Sequence, residues 1–543
     1  MILRPYQQQA VESALEHLET HRSTLLVCPT GCGKTLMFAE IIRRMAQRGR
    51  AMVIAHREEL LDQAREKIEA MTGLRPDLEM ADVRASEGMF KSPIVVSSVQ
   101  TQTAGRNGKR MQRFDPQEFG LLVLDEAHHA PAETYRAVVD HYSANPSLKV
   151  LGVTATPDRL DKKALGEIFE SVAFDYEIVD AINEGWLVPI RQKFLSVQVD
   201  FSGVRMTLGD LNGADLRECL AKGDTLERIA SDSIQWAGER CTLVFSDCVQ
   251  NAERLTETYN RHRLGCARIV TGETERDERR TLIAAYRAGA FQFLVNVGIA
   301  GEGFDAPIIA CVVQAAPTCS RARYAQQTGR GTRPLPCIVD GLDTDALRVA
   351  AIAASDKPDL LLLDIVGNSA KHKLMTAADI LGGRYSDEVI ATAETSMRES
   401  ALPSNVAEAL EAAERKHNAQ IEAEAARKEK LKLRDKSHGR DVDPFGVLSL
   451  SRGAERGWDD NGELSEHETA MLDKNRVDGW QRLAVPEARQ IIEEIRRRAR
   501  RDLCSYRMAR LLKRRGYDTR NMGFTEAREI IAVLERQEGW ARK

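Results

Sequence analysis

Two series of short apolar runs, separated by helical patterns, constrain the fold of this chain most strongly. The runs are continuous rather than alternating, which is typical of strands buried on both faces of a parallel sheet covered by helices. They predict two α/β domains joined near Pro189, with the strand-like run Phe194–Val199 beginning the second. The first series is Thr24–Cys28, Ala51–Ala55, Ile94–Ser98, Leu121–Leu124 and Val150–Val153, and the second is Thr242–Ser246, Ala267–Thr271, Phe293–Val297, Ala310–Gln314 and Leu360–Ile365.

Length and composition set the broad class of the protein. A chain of 543 residues is too long for one hydrophobic core and implies roughly three domains. With 43% hydrophobic and 29% charged residues, and no apolar run near the roughly 20 residues that cross a bilayer, we expect a globular protein without membrane contact. The net charge of −4 argues against a uniformly basic nucleic-acid coat, so any such contact must be local.

Cysteine usage and the first residues bear on cellular location. The ten cysteines contain no C-x-x-C pair, which indicates reduced thiols and argues against a structural zinc site. The residues from Met1 to Tyr6 have no signal-peptide layout. We therefore expect a cytoplasmic protein, and we expect it to be a monomer.

The character of the sequence changes after about residue 403. The stretch Glu408–Lys436 is rich in Ala, Glu, Lys and Arg, which predicts a long charged helix, and Gly439–Gly462 is typical of a joint. In the tail, a pattern beginning at Met471 recurs from Leu511, and Ala488–Ile492 recurs as Ala527–Ile531, which predicts two stacked pairs of short helices. The expected domains are 1–188, 189–385, 386–462 and 463–543, of which the last is small and all-α.

A basic run lies within this tail. Residues 496–515 contain ten Lys or Arg against one acidic residue, Asp502. Such a run is either a solvated face or a contact for nucleic acid, and the sequence leaves both interpretations open.

A loop with two glycines follows the first strand. Gly31 and Gly33 let the backbone fold closely, so that N–H groups point at phosphate oxygens, and a helix beginning near Thr35 adds partial positive charge. Lys34 is placed to reach the β- and γ-phosphates, and the Thr35 hydroxyl to bind Mg²⁺. Cys28 stands where the G-x-x-x-x-G-K-[ST] pattern has its first glycine. The predicted phosphate cradle is Thr30, Gly31, Cys32 and Gly33.

Two carboxylates end the strand Leu121–Leu124. Ligands of parallel sheets bind at the carboxyl ends of the strands, so Asp125 is placed to hold Mg²⁺ through a water. Glu126 is the candidate base that deprotonates the attacking water. The alternative is that both carboxylates only cap the next helix. Together with the upstream loop, the pair predicts hydrolysis of a nucleoside triphosphate with Mg²⁺.

The chain resembles the superfamily 2 helicases and translocases of the DEAD/DEAH type. This resemblance implies ATP as the nucleotide, and two tandem RecA-like domains over roughly residues 1–385. It rests on a series of motifs in order, namely Leu3–Gln7, Ala55–Leu60, Ser97–Thr101, Thr154–Pro157, Val244–Ser246, Thr271–Thr274, Gly301–Pro307 and Gln326–Arg333.

The resemblance also implies roles for individual residues. In the first domain Arg4 and Gln7 would contact the adenine, and in the second Arg330 and Arg333 would reach the γ-phosphate when the cleft closes. An arginine finger of this kind contributes roughly 10³–10⁵ in rate in related phosphoryl transfer. Further nucleotide contacts are expected from Gly303 and Asp305, and contacts to the nucleic-acid strand from Arg57, Gln100, Thr101, Thr271 and Gly272.

Within the superfamily, the chain looks most like DNA-directed members. Its core is similar to RadD-like repair helicases and to the ATPase cores of restriction enzymes, whereas its tail lacks the cysteine-rich segment of RadD-like proteins and looks more like tails of phage or prophage helicases. The expected function is an ATP-dependent DNA helicase or translocase acting on single-stranded or forked DNA in repair, replication or recombination. An RNA helicase remains an alternative, as does an ATP-gated DNA-binding scaffold for a nuclease or a single-strand-binding protein.

Overall fold

A computed structural model describes the fold for most of the chain. The described residues are 3–55, 58–86, 88, 91–105, 110–155, 165–207, 209–298, 304, 306–368, 373–383, 385–432, 443–450, 464–477 and 479–538. Contacts divide the chain into two compact units. Two of the division points lie inside helices, one in Asp387–Glu399 and one in Val406–Lys432. Unit 1 comprises residues 1–383 and 393–409, and unit 2 comprises residues 384–392 and 410–543.

Unit 1 contains a first parallel sheet of seven strands. The spatial order is β3-β4-β2-β5-β6-β1-β7, so the first strand lies between the last two. Three of the strands, β1, β4 and β5, are buried at every residue, as parallel sheets covered on both faces require. The bounds are β1 Ser23–Val27, β2 Arg50–Ala55, β3 Asp77–Glu79, β4 Ile94–Ser98, β5 Phe119–Asp125, β6 Lys149–Thr154 and β7 Ser171–Asp175.

A second sheet of seven strands follows in the same unit. Its order is β12-β13-β11-β14-β15-β8-β16, and all neighbours are parallel except β16, which runs antiparallel to β8. A two-stranded hairpin, β9-β10, follows β8. The bounds are β8 Ile190–Asp200, β9 Met206–Thr207, β10 Asp210–Leu211, β11 Thr242–Phe245, β12 Ala267–Val270, β13 Phe293–Asn296, β14 Cys311–Gln314, β15 Leu360–Asn368 and β16 Ser404–Asn405.

Helices connect the strands and form the rest of the chain. Along unit 1 and its boundary they are Pro5–Thr20, Lys34–Met45, Glu58–Thr72, Val99–Thr103, Glu133–Tyr142, Ile178–Asn183, Gly213–Leu220, Thr225–Ala237, Val249–His262, Arg276–Arg287, Arg321–Thr328, Asp345–Ala353, Ala377–Leu381 and Asp387–Glu399. The remaining helices are Val406–Lys432, Pro444–Leu448, Glu466–Lys474, Val485–Arg500, Tyr506–Lys513 and Phe524–Glu538. Among the described residues, no helix is both long and apolar enough to cross a membrane.

The predicted fold class is confirmed. Every apolar run of the two predicted series forms a strand of the corresponding sheet. The strands that the sequence did not predict are short or polar. In β3 the last residue, Glu79, is a fully buried carboxylate that accepts hydrogen bonds from Arg110 and Arg113. Because a charged residue normally indicates an exposed position, the sequence pattern did not predict a buried strand here.

Unit 2 has the predicted long helix and two helix pairs. The long helix is described to Lys432, and its predicted end at Lys436 and much of the predicted joint lie outside the described residues. The repeat appears as the pairs Glu466–Lys474 with Val485–Arg500, and Tyr506–Lys513 with Phe524–Glu538. After the first helix of each pair the chain turns through a left-handed residue, Arg476 with φ 53° and Gly516 with φ 84°. The two pairs therefore share their turn geometry as well as their apolar pattern.

A buried arginine joins the segments of unit 2. Arg498 is 1% exposed, and its guanidinium donates to Glu494, to the Cys504 carbonyl and to the Thr519 carbonyl. One member of the basic run is thus a structural residue that links the end of one helix pair to the other. A buried charge persists only when its hydrogen-bonding groups are satisfied in this way.

We expect Arg498→Met to destabilise unit 2 by about 3–5 kcal/mol, because it leaves two buried carbonyls without their donor and the buried Glu494 carboxylate with Arg497 alone. Hydrogen–deuterium exchange of the amides in Val485–Arg500 would measure the loss as faster exchange. The matched control is Arg496→Met, which removes an exposed charge from the same helix. Equal exchange rates in the two variants would contradict the structural role of Arg498.

Candidate functional site

The loop after β1 has the geometry of a phosphate cradle. Gly31 and Gly33 have φ values of 98° and 79°, which a side chain would strain, and a helix begins at Lys34. Lys34 and Thr35 are both half-buried at the start of this helix. The backbone of Thr30, Gly31, Cys32 and Gly33 thus leads into a helix N-terminus, where N–H groups without helical partners favour an anion.

The segment expected to contact adenine is bonded to this loop. The amide nitrogen of Gln7 donates to the Cys32 carbonyl at 2.8 Å, and Tyr6 donates its hydroxyl to the same carbonyl at 2.8 Å. The Gln7 amide oxygen accepts from the backbone of Arg4 at 2.9 Å. A methyl group added at Gly33 would lie 2.6 Å from the Gln7 amide nitrogen, so the packing is close. Gln7 therefore supports the phosphate loop through hydrogen bonds that the sequence did not predict.

Glu126 occupies a strained position at the end of β5. Its φ and ψ of 50° and 53° are left-handed, a conformation that is unusual for a residue other than glycine and is concentrated at functional sites. Its Oε1 lies 3.8 Å from Lys34 Nζ, and its Oε2 lies 3.5 Å from His128 Nδ1. The same His128 nitrogen lies 3.1 Å from the Thr154 hydroxyl at the end of β6, so His128 connects the two strand ends. The strained backbone and the neighbouring Lys34 and His128 set Glu126 in one orientation.

The electrostatics keep Glu126 ionised. Burial alone would raise its pKa, but Lys34, His128 and Arg330 more than offset that effect and hold the pKa of this carboxyl below its usual value. Within the described residues, neither its Oε2 nor the buried Thr30 hydroxyl has a hydrogen-bond partner. Unsatisfied buried polar atoms on both sides of the cradle fit a polar ligand and a water.

The residues present also fit Mg²⁺. Asp125 is 7% exposed at the end of β5, and its Oδ1 accepts from the Glu126 backbone. No cluster of three or more His, Cys, Asp or Glu side chains suited to a metal occurs within the described part of the chain. A site with one carboxylate and the Thr35 hydroxyl suits Mg²⁺, which usually keeps several waters and takes further ligands from substrate phosphates.

A turn from the second sheet packs against the phosphate loop. A methyl group added at Gly31 would lie 3.2 Å from Arg333 Cγ, and one added at Gly329 would lie 2.5 Å from Thr30 Cβ. Arg330 lies close enough to Glu126 to lower its pKa, and its Nη1 donates to the Phe304 carbonyl at 2.9 Å. The structure therefore brings the two predicted arginines to the loop of the other sheet.

Arg4 lies beside the segment that connects the two sheets. Its guanidinium carbon lies 4.9 Å from the Trp186 ring centroid, and that of Arg348 lies 3.9 Å from the same centroid. Arg4 Nη2 also donates to Asp340 at 3.2 Å. Trp186 is thus stacked between arginines from both sides of the connection, a contact that no sequence motif indicated.

The residues expected to contact a nucleic-acid strand differ in accessibility. Gln100 and Gly272 are exposed, whereas Thr101 and Thr271 are each 7% exposed. The Thr101 hydroxyl accepts from Ser98 at 2.8 Å, and the Thr271 hydroxyl accepts from the Glu273 backbone at 3.2 Å. Both threonines therefore shape their loops. Of the other predicted site residues, Arg57, Gly303 and Asp305 lie outside the described residues, as do Thr156 and Pro157 of the motif Thr154–Pro157.

The basic run of the tail divides into two groups. Arg497 pairs with Glu494, Arg507 donates to the Lys474 carbonyl, and Arg510 donates to the Arg476 carbonyl at 3.3 Å. The exposed Arg496, Arg500 and Arg514 have no hydrogen bond or ion pair with a described residue. Part of the run is structural, whereas Arg496, Arg500 and Arg514 are exposed and available to an external anion.

A buried carboxylate supports the helix that precedes the arginine turn. Asp364, at 5% exposure in β15, accepts from the Tyr324 hydroxyl at 2.5 Å and from the Gln192 amide. Burial raises the pKa of Asp364 to about 7, although these two hydrogen bonds oppose the shift. Tyr324 belongs to the helix Arg321–Thr328, so Asp364 has a structural role in fixing that helix to β15.

Two family models match the chain in order. The model described as "Type III restriction enzyme, res subunit" matches residues 1–159, and the "Helicase conserved C-terminal domain" matches residues 222–334. The first covers the phosphate loop and Glu126, and the second covers Arg330 and Arg333. The similarity to restriction-enzyme ATPase cores is confirmed for the first part of the chain.

Curated relatives match about three fifths of the chain. "Putative ATP-dependent helicase IRC3" of Saccharomyces cerevisiae is 28% identical over 348 residues, which cover 61% of this chain and 49% of that protein. "Putative DNA 3'-5' helicase Rad25" of Halobacterium salinarum is 30% identical over 337 residues, which cover 61% of this chain and 52% of that protein. The chain spans about half the length of these relatives.

A solved structure shares the fold. A fragment of a putative HsdR subunit of a type I restriction enzyme from Vibrio vulnificus YJ016 matches with a TM-score of 0.50 and 18% identity, covering 67% of this chain and 64% of that one. Such a likeness concerns the fold alone. The chain thus has two tandem parallel sheets and is similar, in order, to a restriction-enzyme res-subunit model and to a helicase C-terminal domain model.

Proposed function

We propose that this protein is an ATP-dependent DNA helicase or translocase that hydrolyses ATP to ADP and phosphate. The observation that carries the proposal is the meeting of Lys34 and Glu126 from one sheet with Arg330 from the other. An isolated carboxylate pair that only capped a helix would need neither the strained Glu126 backbone nor cations from two domains. The names of the yeast and haloarchaeal relatives support ATP and DNA as substrates.

The proposed chemistry divides between the two sheets. Thr30, Gly31, Cys32 and Gly33 hold the phosphates through backbone N–H groups, and Lys34 attracts the β- and γ-phosphates. When bound by Thr35 and, through a water, by Asp125, Mg²⁺ would neutralise phosphate charge. Glu126 accepts a proton from the attacking water, which its low pKa permits at neutral pH.

The second sheet supplies the charge that completes the site. Arg330 and Arg333 stabilise the charge that develops on the γ-phosphate, so hydrolysis requires both domains to be in contact. After hydrolysis this attraction weakens and the domains separate. DNA held by loops of both domains, Gln100 and Gly272 among them, would then move relative to one of them.

Several finer assignments are part of the proposal. We propose adenine contact by Arg4 and Gln7, further roles for Arg57, Thr101, Thr271, Gly303 and Asp305 in ligand binding, and the four domains 1–188, 189–385, 386–462 and 463–543. We also propose a cytoplasmic monomer, with a nuclease or a single-strand-binding protein as possible partners. All ten cysteines are free thiols, which supports a reducing compartment.

The test of the function is the rate of ATP hydrolysis with single-stranded DNA, duplex DNA, forked DNA and RNA as separate stimulants. We expect DNA, and single-stranded or forked DNA most of all, to raise the rate. Stronger stimulation by RNA would favour an RNA helicase instead. ATP binding without turnover under all four conditions would favour a nucleotide-gated scaffold.

We expect Glu126→Gln to retain ATP binding and to lower the turnover number by about 10²–10⁴-fold, because an amide cannot accept the proton. Phosphate release measures turnover, and fluorescence of a labelled ATP analogue measures binding. Glu133→Gln, an exposed glutamate on the following helix, is the matched control. Undiminished hydrolysis by Glu126→Gln would remove Glu126 as the base.

We expect Arg333→Ala to slow hydrolysis by about 10³-fold or more while nucleotide affinity changes little, because a finger acts mainly in the transition state. Single-turnover kinetics separate the two effects. The control, Arg323→Ala, removes an exposed arginine on the helix before the turn, where its guanidinium lies 3.4 Å from Asp210. An unaltered rate in Arg333→Ala would exclude Arg333 as a finger.

We expect the triple variant Arg496→Gln, Arg500→Gln and Arg514→Gln to bind single-stranded DNA more weakly if the tail contacts DNA. Each lost phosphate contact should reduce the slope of log affinity against log salt by about 0.7. Fluorescence anisotropy at several salt concentrations measures this slope. Lysine at the same three positions keeps the charge and should keep the slope. If the glutamine variant has the wild-type slope, these arginines form a solvated face and do not contact DNA.

A further inference from the structure

The helix Asp345–Ala353 turns its one basic side chain inward and its larger apolar side chains outward. Arg348 is 4% exposed, whereas Leu347 and Val349 are 54% and 44% exposed. A helix on the surface of a globular protein normally buries its apolar side chains and exposes its charges. The burial of this helix is therefore inverted, and its outward face is apolar.

Arg348 attaches the inner side of the helix to the connection between the two sheets. Its guanidinium donates to the Glu184 carbonyl at 2.7 Å and to the Leu342 carbonyl at 2.9 Å, and it lies over the Trp186 ring. A methyl group added at Gly185 would lie 2.6 Å from Arg348 Cβ, so the contact is close. Polar bonds and stacking make this attachment, and they leave the outward apolar side chains available.

The outward face has a shape that a second helix fits. At about 100° of rotation per residue, Ala346, Ala350 and Ala353 form one row along the helix, with Leu347 and Val349 on its two sides. A row of small side chains lets a second helix approach closely, and the larger side chains beside the row can pack against it. A helix of 9 residues is marginal by itself and gains stability when such a face is buried.

The charges that surround this face are negative. Residues 340–357 contain four acidic and two basic side chains. The acidic side chains are all exposed, namely Asp340, Asp343, Asp345 and Asp356. The basic ones, Arg348 and Lys357, are only 4% and 2% exposed, and Lys357 donates to the carbonyls of Pro307 and Arg333. The exposed side chains of this segment therefore carry negative charge alone.

Two of the acidic side chains are available to a partner. Asp340 pairs with Arg4, and Asp345 is bonded within the helix, but Asp343 and Asp356 form no ion pair with a described residue. Asp343 precedes the helix, where a negative charge is favourable. Asp356 follows the helix, where a negative charge gains nothing from the helix dipole. The two carboxylates thus stand at opposite ends of the apolar face.

This charge distribution selects among possible occupants of the face. Nucleic acid and anionic lipid would be repelled by Asp343 and Asp356. A second copy related by a two-fold axis would set the same patch against itself, and therefore acidic side chains against acidic side chains. A segment that carries Lys or Arg beside its apolar residues is complementary to both the face and the charges at its ends.

We propose that the helix Asp345–Ala353 is a docking surface for a basic amphipathic helix of a partner protein. Apolar side chains of the partner pack on the alanine row between Leu347 and Val349, and its Lys or Arg side chains pair with Asp343 and Asp356. This inference is independent of the proposed function, because binding at this face requires neither ATP nor DNA.

The probe is a fluorescein-labelled synthetic peptide of leucine and lysine in amphipathic helical order, about five helical turns long. Fluorescence anisotropy with the full-length protein measures its affinity. A peptide with glutamate in place of every lysine is the control for charge. We expect the lysine peptide to bind and the glutamate peptide not to bind. Absence of binding by the lysine peptide, or equal binding of both peptides, would overturn the proposal.

We expect the double variant Leu347→Gln, Val349→Gln to bind the lysine peptide about tenfold more weakly or worse, because two apolar side chains no longer pack against it. The matched control is Leu264→Gln, Leu402→Gln, which removes two leucines that are 95% and 67% exposed elsewhere in unit 1. It should keep the wild-type affinity. All four side chains are exposed, so both variants should fold. Equal affinities of the two variants would contradict docking at this helix.

We expect Asp343→Asn, Asp356→Asn to weaken binding of the lysine peptide about threefold or more at low salt and to have no effect at high salt, because salt screens exposed charges. An unchanged affinity at low salt would remove the basic partner from the proposal. Sedimentation of the protein alone tests the other occupant. A dimer that forms with rising concentration and is abolished by Leu347→Gln, Val349→Gln would place a second copy on this face and overturn the proposal.

Discussion

The structure depends on the burial of a negative charge beside basic side chains that come from separate parts of the chain. The Glu126 carboxylate lies beside Lys34 at the start of the helix after β1, His128 from its own turn, and Arg330 from the second sheet. Without them, burial would raise the pKa of this carboxyl and oppose the ionised form that acts as a base. The parallel sheets, the glycines of the loop and the turn of the second sheet all serve to bring these groups together.

Much of the fold was predictable because its strands are buried on both faces. Continuous apolar runs such as Leu121–Leu124 are typical of buried strands, and their order along the chain indicated two sheets. The sequence did not reveal β3, whose Glu79 is buried with its charge compensated by Arg110 and Arg113. A charged residue is expected to be exposed, and only the tertiary contacts of Glu79 with the two arginines make its burial favourable.

The site was predictable where a residue type has one chemical use. A lysine after a glycine loop and a carboxylate pair after a strand indicated the phosphate chemistry, and the structure places them 3.8 Å apart. The sequence was less informative about side chains whose partners are backbone atoms. Gln7 donates to the Cys32 carbonyl, and Lys357 to two carbonyls that no pattern of residue types records. The hydroxyl of Thr101 is likewise engaged within the protein, which the motif alone could not show.

The order of strands in the first sheet has a consequence for synthesis of the chain. β1, which leads into the phosphate loop, pairs on one side with β6 and on the other with β7, so Leu25 contacts residues made more than a hundred positions later. During translation the N-terminal loop therefore emerges early, but β1 has no partner strand until the chain has passed Thr154, and its second partner is complete only at Asp175. Closing so long a loop costs entropy that local helices cannot offset, and long-range parallel pairing forms slowly. The phosphate loop is thus among the last parts of the first sheet to be fixed in place, because both neighbours of β1 are made after the other strands of that sheet.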